Sequence, residues 1–220
     1  RSIGTQMKAT GEVMAIDRCF ESAFLKAIRS LEITNRPILW EDSQWNGDLG
    51  KIIKQLSLRA NDQRVWTLMA ALRRGAKPDN LSRITGIDPW FTRAFANITA
   101  MEQRLLSETL SYELLWIAKR MGFSDESIGT LTDKTAKQVR NIRHQMDIRP
   151  VYKMVDTCAA EFAAQTSYFY STYEEENEAE SIPQAKALVV GSGPIRIGQG
   201  IEFDYCSVHA AWALEQEGIH

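Results

Sequence analysis

The strongest constraint on the fold is a series of amphipathic helical segments that fills residues 61–149. Their apolar residues recur every three or four positions, and the strict alternation of a half-buried strand is almost absent. Helix signals separate the segments: Gly86 follows one of them, and Asp88 with Pro89 forms an N-cap and first-turn pair before the longest. Short helices joined by short connections predict a compact all-α domain, which we place at residues 33–149.

A further helix is predicted ahead of these segments. Asp17 can cap it, and its apolar residues between Phe20 and Leu31 share one face because they recur at helical spacing. Such a helix would normally pack against a sheet, so in this chain its apolar face needs another partner. The link that follows is predicted to be irregular up to a short helix, with Trp40 and Trp45 anchoring it to a neighbouring element.

The character of the sequence changes at Pro150, which ends the helical series. Residues 151–155 alternate in polarity and predict a strand or an extended strap. Aromatic side chains within residues 168–173 offer large apolar area with polar tips, which suits a seam between domains. The glutamates of residues 174–180 then predict a solvated linker, and their spacing lacks the glycine turn of a calcium-binding loop.

The end of the chain has the order strand, tight loop, helix. The apolar residues 187–190 lead into a loop with four glycines, and a helical apolar pattern follows. Glycine admits positive φ and close approach of the backbone, so this loop is predicted to be shaped rather than flexible. A Walker loop is excluded because no Gly-Lys-Ser/Thr follows. A dinucleotide-binding fingerprint, whose third glycine would come late, and a plain structural turn of an α/β domain stay open.

Three separated groups of motifs resemble the large subunit of carbamoyl-phosphate synthetase. The first resembles the close of the first ATP-grasp half of that subunit, the second the strap before the second half, and the third the start of the carbamoyl-phosphate-forming half. The matching segments are residues 4–8, 10–16, 150–153, 155–162, 170–174 and 191–206. The middle of the chain matches more loosely, mainly through residues 85–91 and 119–125.

The resemblance implies a mainly α protein in which a central all-α oligomerisation domain is flanked by fragments of α/β domains, one ATP-grasp and one pre-ATP-grasp. The implied division is residues 1–32 for the end of the first, carboxyphosphate half, 33–149 for the oligomerisation domain, 150–183 for the strap, and 184–220 for the start of the second half. Because the chain starts without methionine and ends as a new unit begins, we expect an internal segment of a longer protein.

In that family the full subunit is a ligase of arginine and pyrimidine biosynthesis. It makes carbamoyl phosphate from bicarbonate, two ATP and ammonia that a glutaminase subunit or domain releases from glutamine, and it uses Mg²⁺ or Mn²⁺. The resemblance further implies self-association through the helical domain. The bodies of the ATP-grasp halves, which hold nucleotide and metal, match no part of this chain. We therefore expect no catalytic, cofactor-binding or metal-binding residue here, and no activity of the chain alone.

Four residues match the family's internal tunnel for carbamate, namely Met7, Glu12, Gly200 and Glu202. Glycine and apolar side chains would leave room for a small anion, and buried carboxylates with a raised pKa could handle its proton. An ordinary structural role is the alternative. Glu12 would then cap a turn, and Glu202 would occupy a helix N-terminus, where a carboxylate is favoured.

Composition and charge argue against several other classes. A formal net charge of −2 over 220 residues gives no general attraction to nucleic acid or anionic lipid. Cys19, Cys158 and Cys206 are widely spaced without a CxxC pair, so neither a disulfide framework nor a zinc site is predicted, and a reducing, cytoplasmic compartment fits best. No apolar run approaches the roughly 18 residues that a membrane-spanning helix requires.

A free-standing helical interaction module, or a nucleic-acid-binding one, is the alternative function. Residues 124–148 have the outline of a helix-turn-helix, and DNA readers concentrate positive side chains where phosphates lie. The positive side chains of the second helix are Lys134, Lys137, Arg140, Arg143 and His144. In an acidic chain we favour a solvated face, or one that meets a partner subunit.

Cys206 and His209 lie three positions apart in the last helical segment, so a thiol and a base could meet there. A catalytic thiol also needs a lowered pKa, which the sequence does not establish. We favour an inert, buried pair.

Overall fold

The structure, a computed structural model, describes residues 5–6, 13–31, 33, 36–45, 47–58, 60–159, 161–162, 168–191 and 201–220, with side chains from residue 205 onward in the last range. The described helices are α1 (Phe20–Ser30), α2 (Leu49–Ser57), α3 (Arg64–Arg73), α4 (Pro78–Thr85), α5 (Pro89–Ser107), α6 (Tyr112–Arg120), α7 (Asp125–Leu131), α8 (Ala136–Gln145) and α9 (Ile201–Gln216). The strands are β1 (Val151–Met154) and β2 (Phe169–Thr172). The predicted mainly α fold is confirmed.

Helix α3 is the centre of the helical domain. Residues 66–72 are all buried, so this helix has no solvent face, as expected of a helix that other helices surround. It packs between α2 and α5, α4 packs along α5, and α7 and α8 form a closely packed pair that also meets α5. The core is thus one continuous apolar cluster from α1 to α8.

The longest helix, α5, begins where its local signals predict. The Asp88 carboxylate accepts a hydrogen bond from the backbone N–H of Trp90 at 2.8 Å, and Pro89 occupies the first turn. Gly86 ends α4 with φ of +71°, a left-handed conformation that glycine adopts at little cost. The predicted apolar stripe is correct only from residue 94 onward, because Trp90 is 57% exposed and Phe91 is also exposed.

Helix α1 finds its partner in α5 rather than in a sheet. The ring of Phe24 meets that of Phe95 edge-on at 4.8 Å, and Phe20 contacts the same ring at 5.5 Å. The prediction that Asp17 caps this helix is wrong. Cys19 occupies the N-cap without a side-chain hydrogen bond, because the Asp17 carboxylate binds side chains of α1 and β2 instead.

The link before the helical series is anchored as predicted. Trp45 is buried, and the ring of Trp40 lies between those of Trp45 and Trp66, at 5.8 Å and 6.3 Å. The Trp45 indole N–H donates to the Gln55 side chain at 2.6 Å. The predicted short helix is α2, whose N-cap is Asp48.

The strap contains one strand that the sequence predicts and one that it does not. β1 pairs antiparallel with β2, with Val151 opposite Thr172 and Met154 opposite Phe169. Residues 169–172 were expected only as an aromatic seam. Their strand depends on partners 15 to 21 positions away along the chain, which local periodicity does not reveal.

The predicted strand at residues 187–190 does not form. This segment is extended, with Leu188 and Val190 88% and 87% exposed. Its only described backbone pairing is with the chain end, through Ala187 N–H to the His220 carbonyl at 2.8 Å and His220 N–H to Ala185. A strand requires a neighbouring strand, and no other described segment lies beside it. The helix predicted to follow is confirmed as α9.

A buried ion network joins the link to α3 and α5. Arg73 donates two hydrogen bonds to the Glu102 carboxylate, at 2.7 Å and 2.9 Å, and one to the Ile38 carbonyl at 3.0 Å. The Glu102 side chain is 2% exposed. Glu41 bridges Arg73 and Arg74 at the edge of the network. Breaking such a pair leaves an uncompensated charge in the interior.

We therefore expect Glu102→Gln to lower the free energy of unfolding by about 3 kcal/mol, measured by urea denaturation at neutral pH. Glu108→Gln is the matched control, since Glu108 pairs with Arg104 on the solvent-exposed surface, where water screens the attraction and the pair contributes little to stability. Equal effects of the two substitutions would contradict the interpretation.

Candidate functional site

The four residues predicted to line a carbamate tunnel are not described at the level that would test that role. Met7, Glu12 and Gly200 lie outside the described residues, as does the glycine loop at residues 192–200. Glu202 lies in the first turn of α9, and only its backbone is described. Their role in a tunnel stays a prediction.

Cys206 and His209 both lie on α9, but they are not the buried pair that we favoured from the sequence. Both are exposed, since the described residues cover little of this helix. The imidazole of His209 contacts the rings of Tyr205 at 4.1 Å and Trp212 at 5.2 Å. No hydrogen bond joins the thiol and the imidazole among the described side chains, so the geometry does not form a nucleophile and base.

The predicted helix-turn-helix outline is present as α7 and α8, with Thr135 and Gln138 forming a capping box. One of its five positive side chains turns inward, because Arg143 is 11% exposed and binds Asp125. Loss of hydration, followed by the charges of Arg143, Arg149 and Arg140, lowers the pKa of His144. The remaining positive face is small, and the overall charge of the chain is −2.

The densest polar arrangement lies where the strap crosses helix α1, and Asp17 is its centre. Its carboxylate is 2% exposed and accepts hydrogen bonds from the Ser22 hydroxyl at 2.5 Å and the Thr172 hydroxyl at 2.8 Å. The Lys26 ammonium lies 2.6 Å from the same carboxylate. Burial acts to raise the pKa of Asp17, but the hydrogen bonds from Lys26 and Ser22 outweigh it, so the pKa lies below its ordinary value.

Lys26 extends this junction along the strap. Its ammonium donates to the backbone carbonyls of Ile16, at 3.0 Å, and of Ser171. The same group lies 5.7 Å from the centre of the Tyr170 ring, a cation–π distance. Lys26 lies on α1, whereas Ser171 and Tyr170 lie on the strap. The strap is therefore held to the helix by a backbone contact at Ser171 and by a side-chain contact at Tyr170.

A second ion cluster lies beside the first, at the turn between α6 and α7. The Asp125 carboxylate accepts from the Lys119 ammonium at 2.8 Å and from Arg143 at 2.9 Å. Lys119 also donates to the Phe123 carbonyl and lies 5.0 Å from the Tyr173 ring. Burial acts to raise the pKa of Asp125, and Lys119 and Arg143 outweigh it, so the pKa is lowered.

The acidic segment is not simply solvated, because two of its glutamates hold the strap in place. Glu174 accepts two hydrogen bonds from Arg120 of α6, at 3.1 Å and 3.2 Å. Glu178 accepts from the Met154 backbone N–H at 2.7 Å and from Lys153 at 3.0 Å, and these two contacts lower its pKa. The strap is thereby fastened to the helical domain on one side and to its own strand on the other.

The described residues contain no group of three or more histidine, cysteine, aspartate or glutamate side chains placed to hold a metal ion. Within the same residues, no helix combines the length and the apolar character needed to cross a bilayer.

Comparison with known proteins agrees with this arrangement of a helical domain followed by a strap. Residues 12–147 match the family model described as "Carbamoyl-phosphate synthetase large chain, oligomerisation domain". Residues 183–220 match that of the carbamoyl phosphate synthase preATP-grasp domain. The chain belongs to the carbamoyl-phosphate synthetase large-chain family. The resemblance inferred from the sequence motifs is confirmed.

Individual relatives show the same affiliation. The carbamoyl phosphate synthase large chain of Thermomicrobium roseum is 56% identical over 219 residues, covering 100% of this chain and 20% of the relative. The large chain of Caldanaerobacter subterraneus is 51% identical and that of Lachnoclostridium phytofermentans 46%, with the same coverage. The chain thus spans about a fifth of the length of these relatives.

The hydrogen bond from Thr172 to Asp17 ties the strap to the residues before α1, and a substitution of Asp17 tests how much this contact contributes to stability. Asp17→Asn removes the negative charge that holds Lys26, so we expect the free energy of unfolding at neutral pH to fall by about 2 kcal/mol. Because the folded pKa of Asp17 is lowered, its stabilisation is complete above the unfolded pKa of about 3.8 and is lost as the pH falls through the folded value. The difference between variant and wild type should therefore shrink on acidification.

Urea denaturation between neutral pH and pH 3 measures this difference. Asp79→Asn is the control, since Asp79 is exposed and pairs with the exposed Arg93. A stability difference for Asp17→Asn that does not depend on pH would contradict the role of the buried charge.

Proposed function

We propose that this chain is the segment that joins the two catalytic halves of a carbamoyl-phosphate synthetase large chain, and that it supplies architecture and subunit contacts. The observation that carries the proposal is the order of the parts. A helical domain that matches the family's oligomerisation domain is followed by a strap fastened back onto α1, and then by the start of a pre-ATP-grasp domain.

The whole enzyme would make carbamoyl phosphate from bicarbonate, two ATP and ammonia released from glutamine by a glutaminase subunit or domain, with Mg²⁺ or Mn²⁺ assisting ATP. It would act in the cytoplasm. In the proposed division of labour, this segment does no chemistry by itself and holds the two halves at a fixed relation.

Self-association through the helical domain is the second part of the proposal, and exposed apolar residues on that domain support it. Leu106 near the end of α5 is 57% exposed, and Tyr112 at the start of α6 is also exposed. Large apolar side chains exposed on a surface are typical of contact regions between subunits. This corner between α5 and α6 is thus the surface to test.

We expect analytical ultracentrifugation of the chain to show concentration-dependent association that Leu106→Glu weakens by at least about tenfold, because a buried unpaired carboxylate opposes contact. Trp212→Glu on α9 is the matched control, since Trp212 is 55% exposed but lies outside the helical domain. A chain that remains monomeric at all concentrations, or equal effects of both substitutions, would contradict association through this corner.

A role in the wall of a carbamate tunnel is the third part of the proposal, and it rests on the motif match of Glu202. In the complete enzyme we expect Glu202→Ala to uncouple the reaction, so that glutamine consumed per carbamoyl phosphate formed rises several-fold. Glu215→Ala, at the other end of α9, is the control. Unchanged coupling in Glu202→Ala would remove the tunnel role and leave the architectural role intact.

A further inference from the structure

A cavity of about 250 Å³ lies between helix α1, the turn from α6 to α7, and strand β2. Its described lining does not include Leu106 or Tyr112, the residues of the corner between α5 and α6. Its polar lining includes Ser22, Lys26, Arg29, Lys119, Ser124 and Thr172. The cavity therefore touches the three parts of the chain that meet at the junction.

Positive charge exceeds negative charge around this cavity. Two carboxylates line it, Asp17 and Asp125. Asp17 forms an ion pair with Lys26, and Asp125 forms ion pairs with both Lys119 and Arg143. Arg29, the remaining cation in the lining, has no ion pair with a carboxylate among the residues that the structure describes.

One hydrogen bond holds the Arg29 guanidinium in place, and its other N–H groups make no hydrogen bond among the described residues. One terminal nitrogen donates to the Gly122 carbonyl at 2.7 Å, and Arg29 forms no salt bridge within the described part of the chain. A guanidinium carries five N–H donors, so most of them remain available to a ligand. The carboxylates of Asp17 and Glu126 both act on the charge of Arg29. Glu126 lines the adjacent cavity, which Arg29 and Arg36 also border.

The backbone at Gly122 sets the position of Arg29. Gly122 has φ of +89°, and a Cβ atom there would lie 2.7 Å from the Cα atom of Ser22 on α1. Only glycine allows the turn to approach α1 this closely. The carbonyl that holds Arg29 therefore lies directly against the helix that carries Arg29.

The Lys119 ammonium also lines the cavity, and its pKa is lowered. Burial, together with the charges of Arg143 and Arg29, acts to lower the pKa of Lys119, and the partner Asp125 does not fully offset these effects. An anion placed between Arg29 and Lys119 would compensate this charge.

We propose that this cavity binds a small oxyanion of the phosphate type, with Arg29 as its principal ligand and the Lys119 ammonium group as its second source of positive charge. Arginine suits this task because its planar fork can donate two hydrogen bonds to one oxyanion. The bound anion contacts α1, the α6–α7 turn and the strap together, so it stiffens the junction between them.

The binding test uses inorganic phosphate as the probe. We expect sodium phosphate and sodium sulfate to raise the midpoint of thermal unfolding of the chain by several degrees, with saturation, at an ionic strength held constant with sodium chloride. Glycerol 3-phosphate separates the two sources of the ligand chemistry: an equal effect indicates that the phosphate of a larger molecule enters, and no effect indicates the free ion. Phosphate and sulfate that act no more strongly than chloride would overturn the proposal.

Variants locate the site. Arg29→Gln should weaken phosphate binding, measured by isothermal titration calorimetry, at least about tenfold. Arg93→Gln, on the exposed side of α5, should leave it unchanged. Equal affinity in these two variants would overturn the assignment to Arg29.

Glu126→Gln is expected to strengthen phosphate binding rather than weaken it, and it removes none of the residues proposed to bind the anion. Glu126 is exposed and lies near Arg29, so its neutralisation should tighten phosphate binding about threefold. This variant also decides the matter if Arg29→Gln does not fold, because unchanged affinity in Glu126→Gln would contradict a site centred on Arg29.

Discussion

The buried carboxylate of Asp17 is the interaction on which the junction of this chain depends. It receives hydrogen bonds from Ser22 of α1 and from Thr172 of β2, two residues 150 positions apart in the sequence. A carboxylate taken out of water is costly unless its oxygens are satisfied. The strap must therefore lie on α1 for Asp17 to be buried without that cost, and this requirement ties the position of the strap to that of the helical domain.

Buried ion pairs also join helices at two other places in the described structure. Arg73 and Glu102 fix α3 against α5, and Lys119 with Asp125 fixes the turn between α6 and α7. Apolar packing alone tolerates small rotations and slips of a helix, since its contacts are not directional. A buried charge with a unique partner does not tolerate such movements, because a helix that rotates or slips leaves the charge unpaired in the interior. In this domain the apolar core supplies the stability, and we infer that the ion pairs select the geometry.

The sequence predicts the parts of this fold whose causes are local. Asp88 and Pro89 mark the start of α5 because the cap and the first turn involve neighbouring residues only, and Gly86 ends α4 for a similarly local reason. Asp17 has the same local chemistry as Asp88, yet it caps no helix because Thr172 and Lys26 compete for its oxygens. The cationic cavity was likewise missed, since residues from α1, the α6–α7 turn and β2 form it and no spacing in the sequence connects them.

The two ends of the described chain differ in how much of their apolar surface is covered by other elements. Helix α1 covers its aromatic face on Phe95 of α5, so it belongs energetically to the helical core even though its motif resembles the end of a sheet-based half. Residues 187–190 and helix α9 have no such cover, and Leu188 and Trp212 remain exposed. An apolar strand segment and an apolar helix are stable together only when further strands or helices pack on them. The helical domain can therefore hold its own shape, whereas the segment from residue 184 onward requires further packing partners before its strand can form.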